Sequence, residues 1–242
     1  LAARLLQAFP AAAADAVYGS TEAEPMSSVP LQELAESRGE GYLVGRAAPV
    51  AELALVDLPE EAPPLGPAGL APFRVPEGES GEVLVRGPHV NRRYVGDESA
   101  ARRSKVPDPD GGLWHRTGDL ARRDGDGRLW LTGRVPDRVR RGGGWLLPYV
   151  IEAAVADEVP AARHAALLAH DGAPEGELVL CCAPSAEEAA LAEARALLAR
   201  RDLGDLPLRR VAELPLDARH NSKIDRPLLR AQLARRGGGN RS

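Results

Sequence analysis

Residues 133–144 are rich in arginine and glycine, and the sequence pattern differs on the two sides of this segment. Before it, short apolar runs bounded by turn residues predict strands. After it, helical and strand patterns alternate. A chain of 242 residues is long enough for one large domain or two small ones. We therefore predict two domains, at residues 1–134 and 135–236, followed by a disordered tail at 237–242.

The part before this boundary is predicted to consist mostly of short strands. Residues 41–95 contain two apolar runs, which are separated by a loop rich in proline and glycine. The sequence DGDG at 124–127 predicts the turn of a hairpin, and it is not a calcium loop because the later ligands are absent. The predicted elements are a helix at 1–9, strands at 15–18, 52–56 and 82–85, and hairpin strands at 119–122 and 128–131.

The part after the boundary is predicted to be an α+β unit of roughly the minimum size that folds alone. Ser185 and Glu188 form a capping-box pattern, which predicts the start of a helix. The predicted elements are helices at 148–157, 185–201 and 227–236, and strands at 164–170, 177–182 and 208–214.

Charge and composition exclude several classes of protein. The net charge of −4 and the pI near 5.8 favour neither nucleic acid nor an anionic membrane as a partner. No apolar run reaches the roughly 18 residues of a membrane helix, so no transmembrane segment is predicted. The alanine-rich start lacks a methionine and a basic leader, which favours a helix cut from a longer chain over a signal peptide. Cys181 and Cys182 lie in an apolar run typical of a buried strand, so free thiols and a cytoplasmic location are expected.

Lysine is rare in this chain. Of the 31 cationic residues, only Lys105 and Lys223 are lysines, and all the others are arginines. Lysine is a compact point charge on a flexible stem, whereas arginine is a wide planar fork. A retained lysine therefore suggests a site that needs the narrower group. Lys105 lies in a predicted polar loop, where chance explains it, whereas the residues around Lys223 favour a function.

The segment YGSTE at 18–22 follows a predicted strand, and loops at strand ends often present side chains and N–H groups to ligands. Tyr18 provides a flat face for a base, Gly19 permits close approach of the backbone, and Thr21 provides a hydroxyl for a phosphate. Glu22 provides a carboxylate of the kind that Mg²⁺ prefers. A polar turn with one capping hydroxyl explains this segment equally well when it is considered alone.

Three later segments carry charged groups suited to a nucleotide. Asp119, in WHRTGD, can accept two hydrogen bonds from a ribose, although a lone aspartate in such a turn more often caps the hairpin. Arg134 closes the predicted hairpin and can donate to a ribose or phosphate, or it is a solvated basic edge. Lys223, in HNSKIDR, can reach a phosphate and stabilise developing charge, although an exposed surface lysine is the more common case.

Together these segments resemble the signature motifs of the adenylate-forming superfamily of acyl-CoA synthetases, peptide-synthetase adenylation domains and luciferases. YGSTE is similar to the family motif Y-G-x-T-E, and GEVLVRG at 81–87 together with Tyr94 is similar to G-E-[IL]-x-[VI]-x-G … G-Y. The segment TGDLARRDGDGRLWLTGR is similar to T-G-D … G-R, and NSKIDR is similar to N-G-K-[IV]-D-R. The resemblance covers nearly the whole chain, in the family's order and spacing. It implies an α/β and α+β fold: the end of a large AMP-binding domain with a β-rich subdomain, then a small mobile C-terminal domain.

The resemblance also implies an activity. A carboxylic acid, either a fatty or a 3-hydroxy acid, would react with ATP and Mg²⁺ to give acyl-AMP and pyrophosphate. The acyl group would then pass to a thiol of CoA or of a carrier protein. The implied nucleotide-binding residues are Tyr18 for adenine, Gly19 for close backbone approach, Ser20 and Thr21 for the phosphates, and Asp119 and Arg134 for the ribose. Glu22 is implied for Mg²⁺, and Lys223 for catalysis at the carboxylate and α-phosphate.

Three features depart from the family pattern. The Gly-rich phosphate loop, which in the family lies upstream of the YGSTE motif, is not found, so this chain alone is expected to be inactive. Pro136 stands where many members have an acidic hinge residue, and because proline fixes φ, the swing of the small domain is expected to be restricted or absent. Trp145 stands where an arginine is often found, in a loop that shapes the thiol tunnel, which puts CoA in doubt.

These departures leave two alternatives open. With LDARHNSKI at 216–224, they look closer to the β-lactone synthetases of olefin biosynthesis, in which the hydroxyl of a 3-hydroxyacyl-AMP closes a ring without CoA. The other alternative is a non-catalytic nucleotide-binding remnant. The missing phosphate loop favours the remnant, whereas the presence of Glu22, Asp119 and Lys223 argues against it.

Overall fold

The structure is a computed structural model, and it describes residues 2–217 and 223–237. The chain divides into two compact units, Leu1–Pro136 and Asp137–Ser242. The boundary expected from the sequence lies two residues earlier, and the assignment of each unit to a named domain stays a prediction. The predicted disordered tail at 237–242 falls almost wholly outside the described residues.

The first unit is built on one eight-stranded sheet, in the order β1-β2-β3-β8-β7-β5-β4, with β6 paired to β7. Every pair of neighbouring strands in it is antiparallel. The elements are α1 Ala2–Ala8, β1 Asp15–Ser20, β2 Ala23–Pro30, α2 Leu31–Glu36, β3 Tyr42–Ala47, β4 Glu52–Val56, β5 Gly81–Arg86, α3 Glu98–Ser104, β6 Lys105–Pro107, β7 Leu113–Arg123 and β8 Leu129–Arg134.

The middle of this sheet is buried on both faces. In β5, Val83 and Val85 pack into a cluster with Met26, while Leu84 faces the other side and packs with Trp114. Alternate residues of a strand point to opposite faces, so a strand covered on both sides needs apolar residues throughout. This requirement explains the continuous apolar runs that predict β4 and β5.

The second unit has a three-stranded sheet in the order β11-β12-β13, in which β11 and β12 are antiparallel and β12 and β13 are parallel. Helices α4 and α5 contribute to the core that contains Leu167 and Leu180, and α6 contributes to the core that contains Val179. The elements are β9 Val139–Arg141, β10 Gly144–Leu146, α4 Pro148–Glu158, β11 His164–His170, β12 Ala173–Cys181, α5 Glu187–Ala199, β13 Leu208–Val211 and α6 Arg226–Gly237.

Several details differ from the sequence-based expectation. The capping box of Ser185 and Glu188 is wrong: Ala186 is the N-cap of α5, and no side chain caps that helix. The physical reason is a 3-10 turn at Pro184–Ala186, which places Ser185 before the helix begins. The last strand ends at Val211 and is therefore shorter than predicted.

Two sequence-based expectations concern the cysteines and the membrane. Cys181 and Cys182 are buried and free, as expected, and the cytoplasmic location stays a prediction. Within residues 2–217 and 223–237, no helix combines the length and the apolar character that crossing a bilayer requires.

Candidate functional site

Three sequence-predicted site residues form a chain of hydrogen bonds in the first unit. The Tyr18 hydroxyl, on β1, donates to Oδ2 of Asp119 on β7 at 2.7 Å. Nε of Arg134, on β8, donates to Oδ1 of the same carboxylate at 2.9 Å. Residues 101 positions apart thus meet at one carboxylate. Asp119 retains further acceptor capacity, because each of its oxygens has two lone pairs.

The hairpin of β7 and β8 sets the spacing between Asp119 and Arg134. The two residues are direct partners across the strands, so their side chains lie on the same face. Thr117 supports the turn before Asp119: its hydroxyl donates to the Val83 oxygen at 2.9 Å and accepts the Asp119 N–H at 3.0 Å. Gly118 has φ of +71°, a conformation that favours glycine. The TGD sequence therefore encodes the local backbone that presents the carboxylate.

A buried ion pair underlies the same turn. Arg116 donates to Glu82 at 2.6 Å, and both side chains are less than a tenth exposed. The guanidinium also donates to the backbone oxygens of Pro59 and Glu60, at 2.9 and 2.8 Å. This pair ties the proline-rich loop to β5 and β7. Sequence reasoning missed it, because nothing in the spacing of residues 82 and 116 indicates that they meet.

Electrostatics keep the Tyr18 hydroxyl protonated. Burial raises its pKa well above the usual range, and the negative charge of Asp119 raises it further. Tyr18 is therefore a neutral donor at any physiological pH. Its ring packs against the apolar cluster around Met26, so the side chain is held at both ends.

Glu22 lies in the turn between β1 and β2 and is held by a different segment. The Tyr94 hydroxyl donates to its Oε1 at 3.2 Å, and the Asn91 N–H donates to its backbone oxygen at 2.8 Å. Burial opposes ionisation of Glu22, but hydrogen bonds with its own backbone and from Tyr94 help to outweigh burial and leave its pKa below the ordinary value. Glu22 is therefore a carboxylate at neutral pH.

The remaining residues of the YGSTE segment lie at the same hairpin turn. Ser20 lies close to Glu22, yet its buried hydroxyl oxygen has no partner with good hydrogen-bond geometry. Thr21 is exposed. A Cβ on Gly19 would lie 2.8 Å from Cγ of Glu24 and 3.1 Å from the Ala23 oxygen. The hairpin itself thus explains this glycine, whereas the sequence argument explained it by approach to a ligand.

The structure contradicts the predicted position of Lys105 in a polar loop. The sequence pattern predicts a polar loop at this position, but Lys105 begins strand β6 and is only 9% exposed. Its Nζ donates to both the backbone and the side-chain oxygen of Asn91 at 2.6 Å. The rarity of lysine in the chain was the signal that could have identified it.

Lys223 lies in the second unit and is exposed. Its backbone oxygen accepts the Asp217 N–H at 2.8 Å, and the next residue, Ile224, forms a β-bridge with Leu216. His220, Asn221 and Ser222 of the same motif lie outside the described residues. The described backbone on the two sides of this segment is thus paired, and Lys223 is the first described residue after it.

Arg226, three positions after Lys223, anchors this loop. Its guanidinium donates to Glu152 at 2.7 and 2.8 Å and to the Leu167 oxygen at 2.9 Å. It also lies 3.6 Å from the carboxylate of Asp137. The Asp225 side chain accepts the Leu228 N–H at 2.9 Å and so caps α6. The IDR part of the motif is therefore structural, and it fixes the backbone that carries Lys223.

Pro136 and Trp145, the two positions that depart from the family pattern, both lie in or next to turns. Pro136 lies in a 3-10 turn, Val135–Asp137. Gly142 and Gly143 both have positive φ and form the two-residue turn between β9 and β10. Trp145 follows that turn, is 45% exposed, and has two arginines over its ring: Arg138 at 4.1 Å and Arg140 at 5.0 Å from the ring centre. The effect of these features on domain motion and on CoA stays a prediction.

Comparison with known proteins agrees with the motifs. No protein-family model matches the chain. An olefin beta-lactone synthetase from Xanthomonas campestris pv. campestris is 30% identical over 231 residues, which cover 88% of this chain and 40% of that protein. An indoleacetate–CoA ligase from Aromatoleum aromaticum is 36% identical over 136 residues, 56% of this chain and 23% of that protein.

Solved structures agree with these sequence matches. The amide bond synthetase McbA from Marinactinospora thermotolerans superposes with a TM-score of 0.65 at 26% identity, over 89% of this chain and 40% of that one. An anthranilate CoA ligase in complex with anthranoyl-AMP gives a TM-score of 0.69 at 26% identity, over 90% and 40%. The chain belongs to the adenylate-forming enzyme superfamily. It corresponds to the C-terminal part of these relatives and spans at most 40% of their length.

Proposed function

We propose that the protein of which this chain forms a part uses MgATP to adenylate a carboxylic acid. The observation that best supports this proposal is the hydrogen-bonded chain of Tyr18, Asp119 and Arg134, because it joins the YGSTE motif to both ends of the T-G-D … G-R motif at one carboxylate. A carboxylate that accepts from neutral and cationic donors and retains acceptor capacity suits the two hydroxyls of a ribose. Membership of the adenylate-forming superfamily supports the same assignment.

The reaction begins when a carboxylate oxygen of the acid attacks the α-phosphorus of ATP. A bond forms between that oxygen and phosphorus, and the bond from the α-phosphorus to pyrophosphate breaks, which yields acyl-AMP. Such a displacement needs positioning and neutralisation of charge rather than covalent help from the protein. Asp119 and Arg134 would hold the ribose, Tyr18 would stack on the adenine, and the ammonium of Lys223 would neutralise charge at the carboxylate and α-phosphate.

Glu22 fits the role of a magnesium ligand. Its carboxylate is ionised and partly exposed, so it supplies a hard oxygen donor. Across the described part of the chain, no group of three or more histidine, cysteine or acidic side chains is arranged to hold a metal. Mg²⁺ commonly uses one or two carboxylates together with substrate phosphates and waters, which agrees with a single protein carboxylate. When bound, the ion would neutralise phosphate charge.

The acceptor of the acyl group separates two forms of this function. In one, a thiol of CoA or of a carrier protein attacks the acyl carbon and releases AMP. In the other, the 3-hydroxyl of the acyl group attacks the same carbon and closes a β-lactone. The second form is favoured by the olefin beta-lactone synthetase that aligns over 88% of the chain. The exposed Trp145, where an arginine is often found, also favours it.

Pyrophosphate release by the full-length protein tests the proposal. We expect release that depends on ATP, on Mg²⁺ and on a carboxylic acid, in a panel that includes fatty acids and 3-hydroxy acids. Mass spectrometry of products with and without CoA distinguishes the acceptors, because a thioester forms only with CoA and a lactone forms without it. ATP binding without pyrophosphate release for any acid would support the non-catalytic remnant instead.

A further inference from the structure

Lys105 is a buried lysine to which the proposed reaction assigns no role. It pairs with His115 across β6 and β7, and its Nζ lies 5.5 Å from the centre of the Tyr94 ring. Burial lowers the pKa of Lys105, and the charge of Glu22 opposes that shift. Burying an ammonium group is unfavourable unless hydrogen bonds compensate. The two 2.6 Å contacts with Asn91 are therefore the contacts that keep Lys105 in place.

The segment that Lys105 holds is the one that holds Glu22. Asn91 receives both hydrogen bonds from Lys105, and its own N–H donates to the Glu22 backbone oxygen at 2.8 Å. Tyr94, over which the ammonium lies, donates its hydroxyl to the Glu22 carboxylate at 3.2 Å. One contact fixes the backbone of Glu22 and the other orients its side chain.

The type of residue also fits this arrangement. A compact ammonium with three donors can reach both oxygens of one asparagine while it remains against an aromatic ring. An arginine would place a wide planar fork there in place of this compact group. Since the chain uses arginine at nearly every other cationic position, these contacts give a physical reason for lysine at position 105.

We propose that Lys105 is a positioning residue that orients Glu22, through Asn91 and Tyr94, for binding the metal ion of MgATP. This inference rests on the proposed function, since it assigns Glu22 to the metal. Lys105 acts without touching the metal or the nucleotide. Its loss would free the segment that contains Asn91 and Tyr94, and the Glu22 carboxylate would lose its fixed direction.

The test measures metal dependence rather than turnover. ATP binding to the full-length protein is followed by calorimetry over a series of Mg²⁺ concentrations, for the wild type, Lys105→Met, Tyr94→Phe and the double variant. Arg102→Met is the matched control, because it removes an exposed cation from the neighbouring helix α3. Thermal denaturation shows whether each variant folds. Tyr94→Phe, which removes a single oxygen atom, keeps the test informative if Lys105→Met does not fold.

We expect each single variant to raise the Mg²⁺ concentration for half-maximal ATP binding by about tenfold, the lower end of the effect of losing a group that orients a metal ligand. The double variant should be no worse than Lys105→Met, because both changes break the same connection. Additive losses, unchanged metal dependence in Tyr94→Phe, or tighter metal binding in Lys105→Met would overturn the proposal. If the wild type binds MgATP but releases no pyrophosphate with any acid, the proposed function fails, while the titration still decides the role of Lys105.

Discussion

The groups around Asp119 and the loop around Lys223 are organised in opposite ways. At Asp119, each proposed ligand-binding side chain already has a protein partner, and the partners come from three different strands. The proposed catalytic Lys223 is exposed, while Arg226, three positions later, is buried and paired with Glu152. The first arrangement is suited to holding a nucleotide in a fixed position. The second ties the described backbone beside Lys223 to the protein, while the Lys223 side chain stays exposed.

The largest effect is expected where the Lys223 loop is anchored. Arg226→Ala leaves the Glu152 carboxylate buried without its partner, so the free energy of unfolding of the second unit should fall by about 3–5 kcal/mol. Arg230→Ala is the matched control on the same helix, because Arg230 forms one partly exposed ion pair with Asp137 and should cost about 1 kcal/mol or less. Denaturant unfolding measures both. Equal losses in the two variants would mean that burial of Arg226 does not stabilise the loop.

Lys223→Ala separates reactivity from structure within the same loop. The activation free energy for acyl-AMP formation by the full-length protein should rise by about 3–4 kcal/mol, so the reaction should slow, by analogy with removing one donor to a developing negative charge. ATP affinity and the unfolding transition should change little, because the side chain is exposed. Pyrophosphate release and calorimetry provide the two measurements, and Arg163→Ala, another exposed cation of the second unit, is the control. Equal pyrophosphate release by Lys223→Ala and the wild type would reject this role.

Asp119→Asn should change ATP affinity, whereas Lys223→Ala should change the rate of acyl-AMP formation. Removing the charge weakens the contacts with Arg134 and with the ribose, so ATP affinity should fall by about 1.5–3 kcal/mol, the range for hydrogen bonds to a charged group. Asp126→Asn, in the exposed turn of the same hairpin, is the control and should leave affinity unchanged. The comparison between the two regions fails if Asp119→Asn lowers the rate of acyl-AMP formation while ATP affinity stays at the wild-type value.

The smallest effect concerns acid stability of the hairpin that carries Asp119. Burial opposes ionisation of Asp124, but hydrogen bonds from Trp130 and Arg128 outweigh it and lower its pKa from 3.8 to about 2. A lowered carboxyl pKa stabilises the fold above the unfolded value, and this contribution is lost as the pH falls from about 4 towards 2. Asp124→Asn should therefore cost about 2 kcal/mol or less at pH 7 and flatten the pH dependence of unfolding in that window. If the variant still loses stability steeply between about pH 4 and 2, a group other than Asp124 causes that acid transition.

The sequence predicted the longer strands better than it predicted helix starts and very short strands. The continuous apolar runs at β4 and β5 and the DGDG turn between β7 and β8 are local patterns, and the structure has those elements. The capping box at Ser185 failed because Pro184 begins a 3-10 turn, and the backbone geometry of that turn decided where the helix starts. The short strand β6 was missed because its three residues carry too little pattern to be recognised.

For the candidate site residues too, local motifs indicated single residues but not their partners. Motif spacing proposed Tyr18, Asp119 and Arg134 one by one as candidates, but it did not predict that Tyr18 and Arg134 both donate to the carboxylate of Asp119. It also placed Lys105 in a loop and left Tyr94 without a role. Contacts between residues 101 positions apart depend on strand order and register, which no local spacing encodes.

The sequence by itself determined the family, the strand-rich and α+β composition of the two parts, and the types of chemical group at the candidate site. These features follow from motifs and periodicities that are read over a few residues. Only the tertiary structure decided that Lys105 is buried against Asn91, that Tyr94 donates to Glu22, and that Arg226 is buried against Glu152 while Lys223 remains exposed. Burial and partner choice depend on which distant strands lie side by side, so they emerge only when the sheets are assembled.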